Sequence, residues 1–146
     1  MSIEKNKQVI REYFDCLNDL NVDRLEELFA DDFIWIVPVR AKSLAHLNFP
    51  RDKEQSVDRI RTIFSGMDKK PTFKILSMTA EEDRVHAESD GLMYWHNGVA
   101  MDNQYHHAFV LRDGKITKCT EYCDFLAIKE SDPMVTEDIV ETSKSK

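Results

Sequence analysis

The stretch RVHAESDGLMYWHNGVAMDNQYHHAFVLRDGKITKCTEYCDF, residues 84–125, decides the fold. It divides into three strands joined by two short turns. Arg84–His96 closes at His96-Asn97-Gly98, about Asp102–Arg112 closes at Arg112-Asp113-Gly114, and Lys115–Phe125 follows. Asn-Gly and Asp-Gly supply the positive φ angles that tight type I′ hairpins require. Successive side chains of a strand point to opposite faces. Alternation therefore groups Glu88, Asp90, Leu92 and Tyr94, then Asn103, Tyr105, His107 and Phe109, then Thr117, Cys119, Glu121 and Cys123. Carboxylates that alternate with aromatic and aliphatic groups either line a pocket or face water. Alternation alone does not say which.

Outward from this stretch, periodicity supplies the remaining elements. Val9, Ile10, Tyr13, Phe14, Leu17 and Leu20 form one apolar stripe, which predicts a helix over Ile3–Leu20. A second, short helix follows with Asp23 as its cap, carries Leu25, Leu28 and Phe29 inward, and ends at Ala30-Asp31-Asp32. Phe33–Val37 is aromatic and β-branched and reads as a buried strand stopped by Pro38. Val39–Pro50 has no period and reads as a loop with one helical turn. Asp52 and Gln55 fit a capping box that opens a helix over about Lys53–Met67. Thr72–Thr79 is a further strand, turning at Glu81-Glu82-Asp83. From Lys129 the composition turns polar, with room for a short helix at Val135–Val140. Helices first and a strand meander later predict an α+β fold, with helices on one face of a curved sheet.

Composition narrows the function. The 146 residues are 42% hydrophobic and 32% charged, with a formal net charge of −7, so one domain without a basic surface is expected. That excludes nucleic acid and anionic membrane as partners. No apolar run is long enough to span a bilayer, and the N-terminus lacks a signal-peptide core. Three cysteines without framework spacing read as free thiols, which points to the cytoplasm. No phosphate loop, dinucleotide fingerprint or Ser-His-Asp order appears.

Three segments carry a family resemblance. Arg11-Glu12-Tyr13-Phe14 with Leu17-Asn18, then Asp23 through Leu28-Phe29-Ala30-Asp31-Asp32-Phe33, resemble the opening of the nuclear-transport-factor-2-like superfamily. Asp113-Gly114-Lys115-Ile116-Thr117 followed by Glu121-Tyr122-Cys123-Asp124 resembles its closing strand. The nearest groups are SnoaL-like polyketide cyclases, ketosteroid isomerases, limonene-epoxide hydrolases and phenazine-biosynthesis proteins. The resemblance implies a SnoaL-like domain over residues 1–128 and a polar tail over 129–146. It implies a cone-shaped α+β barrel, a curved antiparallel sheet and three N-terminal helices around an apolar pocket. It also implies a homodimer through the outer sheet face, a small hydrophobic ligand and no cofactor or metal.

Residue by residue, Tyr13 matches the helix-1 tyrosine that polarises the carbonyl in the isomerases, while the position of their general base holds Val37. Asp90 and Glu121 match the two acids of the epoxide hydrolases, while their arginine position holds Glu88 and their strand-1 tyrosine and asparagine fall at Ile34 and Ile36. Glu121 and His107 match the Glu and His of the phenazine proteins. The implied catalytic set is Glu121, Asp90, His107 and Tyr13. The implied substrate contacts are Trp35, Phe64, Glu88, Leu92, Asn103, Tyr105 and Cys123. General acid/base chemistry of isomerase, cyclase or dehydratase type on a carbonyl compound is the first expectation. A ligand-binding accessory module and an epoxide-hydrolase-like enzyme are the alternatives. A divalent ion among Glu88, Asp90, His107 and Glu121 is the weakest reading.

Overall fold

A computed structural model describes residues 2–131; the expected tail helix at Val135–Val140 lies outside the described residues. The elements are α1 (Ile3–Asp19), α2 (Val22–Leu28), β1 (Phe29–Ile36), a 3-10 helix (Lys42–Leu47), α3 (Lys53–Ser65), β2 (Thr72–Glu81), β3 (Arg84–Tyr94), β4 (Ala100–Arg112), β5 (Lys115–Cys123) and α4 (Phe125–Ser131). They make the α+β fold the sequence implies, with a curved five-stranded sheet that does not close on itself.

The helices begin where side chains can satisfy unpaired N–H groups. Ser2 caps α1 by accepting from the Lys5 N–H, and the Asp52–Gln55 capping box is present in full on α3. The cap of α2 is Asn21, two residues earlier than Asp23: its Oδ1 accepts from the Arg24 N–H at 3.1 Å. Asp124 Oδ1 accepts from the N–H groups of Leu126 and Ala127, so α4 begins at Phe125, where the last strand is expected to end.

The strand order is β1-β5-β4-β3-β2. Four strands form the antiparallel meander, but β1 pairs with β5 in parallel, so the sheet is mixed rather than wholly antiparallel. β1 also starts at Phe29, because Phe29 pairs with Ile116 before an irregular step to Ile34. The exposed Asp31 and Asp32 ride on that step, where Arg112 holds Asp32 through two bonds of 2.6 and 3.1 Å.

Only one of the two expected hairpins is of the tight form. At Asp113-Gly114 both residues have positive φ, 51° and 77°. At Asn97-Gly98 only Gly98 does, at 80°, and Gly98 N–H donates to Trp95 O across a wider loop. The cause lies in the α3–β2 connection. Asp68 N–H donates to Tyr94 O and His96 N–H donates to Gly66 O, which ties residues 94–96 to that connection where the β3–β4 ladder ends at the Tyr94–Ala100 pair.

The core lies between the concave sheet face and α1 and α2, around Ile10, Phe14, Leu25, Phe33, Val85 and Phe109. A second cluster forms where Leu44 and Leu47 of the 3-10 helix pack with Val37 and Val39 against Trp35, Phe125 and Ile128. The segment read as a loop is thus a cover over the open end of the sheet.

Candidate functional site

The concave face, α1, α3, the 3-10 helix and α4 enclose a cavity of about 120 Å³. Its wall is apolar, built from side chains such as Leu17, Phe29, Phe33, Ile60, Ile63, Phe73, Met93 and Trp95. A few polar groups interrupt that wall: Tyr13, Tyr105, His107, Glu121, Arg51 and Arg59. An apolar hollow with a few convergent polar groups is the usual form of a small-molecule site.

Register decides who enters. Ala87 pairs with His107, and His107 pairs with Glu121, so β4 and β5 turn these two side chains to the same inner face. His107 Nε2 lies 3.0 Å from Glu121 Oε1, with the side chains 2% and 16% exposed. The His107 ring is stacked between Tyr105 and Phe109 at centroid distances of 5.5 and 5.6 Å, and meets Tyr13 and Phe14 edge-on. These rings pack around the imidazole, and its Nδ1 is buried without a hydrogen-bond partner among the described residues. Burial first, then the negative charges that Cys119, Glu121 and Tyr105 can carry, push the Tyr13 hydroxyl well above its ordinary range. Tyr13 is therefore neutral and able to donate. Burial first, and the charge of Glu121 second, push the Cys119 thiol well above its ordinary range.

The chain belongs to the SnoaL-like domain family. The family's model matches residues 10–119, a span that includes Tyr13, Trp35, Tyr105 and His107 and stops two residues short of Glu121. No curated protein matches the chain. Solved structures do. TerC, crystallised with polyporic acid, is 15% identical with a TM-score of 0.74, covering 87% of this chain and 97% of its own. An NTF2-like protein of unknown function from Burkholderia pseudomallei is 14% identical with a TM-score of 0.76, covering 91% and 99%. A candidate SnoaL-like polyketide cyclase from Jannaschia is 19% identical with a TM-score of 0.74, covering 90% and 94%. At these identities the likeness shows the fold alone.

Within this SnoaL-like domain the expected site residues separate cleanly. Tyr13, Trp35, Phe64, Tyr105, His107 and Glu121 line the cavity. Glu88, Asp90 and Leu92 do not. On β3 the inward residues are Val85, Ala87, Ser89, Gly91 and Met93, which places Glu88, Asp90 and Leu92 on the opposite face. There Asp90 Oδ1 accepts from Gln104 Nε2 at 3.0 Å, and Glu88 accepts from the Ser77 hydroxyl at 3.2 Å. The acid pair of the epoxide-hydrolase reading is therefore not assembled, nor is the divalent-ion set of Glu88, Asp90, His107 and Glu121. Among the described residues no other group of three metal-ligating side chains comes together.

Asn103 points inward but is spent on the backbone. Its Nδ2 donates to Asp124 O and its Oδ1 accepts from Asp124 N–H, which fixes the start of α4 rather than the cavity wall. Cys123 sits beside Asn103 outside the lining, its thiol pushed up by burial and by Glu121. Thr117 does not share the face of Cys119 either. A register shift between Val110 and Leu111 turns Ile116 inward and leaves the Thr117 hydroxyl donating to Val110 O. His106 lies on the outer face, with its Nε2 3.2 Å from His86 Nδ1.

Two charged residues of the lining escape sequence reading: Arg51 and Arg59. Arg51 forms an isolated bridge with Trp35, donating its N–H to Trp35 O at 3.0 Å and accepting from Trp35 N–H at 2.8 Å. Its guanidinium stands 5.3 Å from the Trp35 ring centre and 5.6 Å from that of Phe49. Arg51 lies next to Pro50 in a segment without periodicity, so nothing in the sequence marks it as inward. Arg59 occupies the seam between α3's apolar stripe and its polar face, with Ile60 and Ile63 beside it.

Proposed function

We propose that this SnoaL-like domain is a cofactor-independent enzyme that moves a proton at the carbon next to a carbonyl of a small hydrophobic substrate, in an isomerisation, cyclisation or dehydration. The His107–Glu121 pair inside an apolar cavity is the observation that supports this reading most. With its proton on Nε2, His107 donates to Glu121 Oε1 and orients the carboxylate. The second carboxylate oxygen then takes the substrate proton as general base. Tyr13, held neutral by burial, donates to the oxygen on which charge develops. The apolar wall strengthens each of these interactions by excluding water. TerC, a structural neighbour, was crystallised with polyporic acid, which is in keeping with a ligand-holding cavity in this fold.

The same reading has the chain act as a cytoplasmic homodimer, in keeping with three unpaired cysteines and with Leu76 and Tyr122 exposed away from the cavity. Among the described residues, no helix is long and apolar enough to cross a membrane.

Phenylpyruvate is a suitable probe, because its benzylic carbon lies next to a ketone. Deuterium uptake at that carbon in D₂O, followed by proton NMR, is expected to exceed the buffer rate with the wild-type chain. Glu121→Gln is expected to return it to within about a hundredth of the wild-type excess or less. Full exchange with a folded Glu121→Gln variant contradicts the assignment. Binding of aromatic compounds without any exchange favours the second reading, a ligand-binding accessory module whose Glu121 only orients the ligand. Val37 at the place of the isomerase base supports that alternative.

A further inference from the structure

The outer sheet face holds a pair of imidazoles that the chemistry of the cavity does not use. His86 on β3 is half-buried and His106 on β4 is exposed, and alternation turns both away from the cavity. In the ladder His86 stands opposite Ala108 and His106 opposite Glu88, so the two histidines are diagonal neighbours on adjacent strands. Their rings meet at 65° with centres 5.4 Å apart, and His86 Nδ1 lies 3.2 Å from His106 Nε2.

Two ring nitrogens aimed at each other accommodate one proton or one cation. With a proton on one ring, that ring donates to the other. With neither facing nitrogen protonated, both lone pairs converge on a shared point. Zinc binds imidazole nitrogen at about 2.0–2.1 Å, and tetrahedral angles then place two such nitrogens about 3.3 Å apart. Right angles, as in square-planar nickel or copper sites, place them roughly 2.9 Å apart. The 3.2 Å between His86 and His106 falls between these two values, so a cation enters with only small turns of the rings.

We propose that His86 and His106 form a two-histidine chelate for a divalent cation of the zinc class on the outer face of the sheet. Imidazole suits Zn²⁺ and Ni²⁺, whereas Mg²⁺ seeks oxygen ligands. Both ligands sit on hydrogen-bonded neighbouring strands, so no loop has to be ordered when the cation binds. Glu88 adds negative charge beside the pair while accepting from the Ser77 hydroxyl, and the net charge of −7 favours cations over the whole surface. Among the described residues no three metal-ligating side chains converge, so the protein supplies two ligands and water fills the other positions. The bound cation ties β3 to β4. This site is separate from the cavity and does not rest on the function proposed for it.

The test titrates Zn²⁺ into the full chain by calorimetry at pH 7.5. Wild type is expected to bind one Zn²⁺ at this pair. His86→Gln and His106→Gln are each expected to weaken binding about tenfold or more, because loss of a ligand costs at least as much as loss of a ligand's hydrogen-bond partner. His46→Gln, which removes an exposed histidine of the 3-10 helix, is expected to leave the affinity within about twofold. Mg²⁺ in about tenfold excess is expected not to compete. Proton NMR of the wild type needs no variant: the ring signals of His86 and His106 are expected to shift together on adding Zn²⁺, and those of His46 and His96 to stay. Absence of Zn²⁺ binding overturns the proposal, since a pair that only shares a proton would show that. Undiminished binding in either single variant overturns it too, as does competition by Mg²⁺, which would place the cation on Glu88 and its neighbouring carboxylates.

Discussion

The two faces of the β3–β4–β5 sheet carry the same kinds of residue to different ends. The inner face holds His107 and Glu121, 3.0 Å apart and nearly out of water. The outer face holds His86 and His106 at 3.2 Å, with Glu88 and Asp90 beside them on β3, all exposed or at the surface. Each face thus has histidine and carboxylate in hydrogen-bonding company. Only the inner set is caged by aromatic rings and opens on a cavity. The residue types do not distinguish the two sets; their surroundings do, because a charge or proton is felt far more strongly where water is excluded.

Four changes break or sharpen this contrast, in falling order of effect. Phe109, 1% exposed and stacked on His107, anchors the inner face. Phe109→Ala is expected to cost about 3–5 kcal/mol in chemical denaturation, against under about 0.5 kcal/mol for the exposed Leu76→Ala. A second change uses Gly91, an inward position on β3. A Cβ there would stand 2.7 Å from Phe73 Cε1 and 2.8 Å from Tyr105 Cε2. Gly91→Ala is expected to cost about 1–3 kcal/mol, and the outward neighbour Asp90→Ala much less, by the same measurement.

The third concerns pH. Cys119 and Cys123 have folded-state thiols held above the ordinary value of 9.0, mainly by burial. Below about pH 9 both the folded and unfolded chains keep these protons. Above it the unfolded chain ionises first, so stability falls as pH rises, by about 1.4 kcal/mol per pH unit for each thiol. Cys119→Ala is expected to reduce that slope between pH 9 and 10.5 by one thiol's share, read from urea midpoints. An unchanged slope contradicts the burial of Cys119. The smallest effect belongs to the outer acids. Glu88→Gln is expected to shift stability by under about 0.5 kcal/mol, since its bond to Ser77 is at the surface.

The contrast also shows what could be read from residue order. The α1 stripe, the Asp52–Gln55 capping box and the Asp113-Gly114 hairpin follow from local chemistry, and each is present. Within each strand, alternation sorted the side chains correctly on β3 and β4. It did not say which face of β3 shares a side with His107. That depends on the register Ala87 to His107, which the turn at Asn97-Gly98 sets, and this turn is wider than its dipeptide suggests. The resemblance implies Asp90, Glu88 and Leu92 at the site, whereas this register turns Ala87, Ser89 and Gly91 inward instead. On β5 the shift at Val110/Leu111 exchanged Thr117 for Ile116. Asn103 lay on the inner face as expected, but its amide went to Asp124, a partner 21 residues away. Arg51 and Arg59 had no signal, because a cation beside an apolar stripe reads as solvated until the opposing wall is known. The parallel pairing of β1 with β5 was hidden for a similar reason: it joins the two ends of the domain.

The central claim is that proton transfer belongs to the inner set and not to the outer one. Deuterium uptake by phenylpyruvate, measured side by side for wild type, Glu121→Gln and Asp90→Asn, tests it most directly. The account predicts that Glu121→Gln loses about 10²–10⁴-fold of the rate while Asp90→Asn keeps it within about twofold. Equal losses in both variants, or a loss in Asp90→Asn alone, would contradict it.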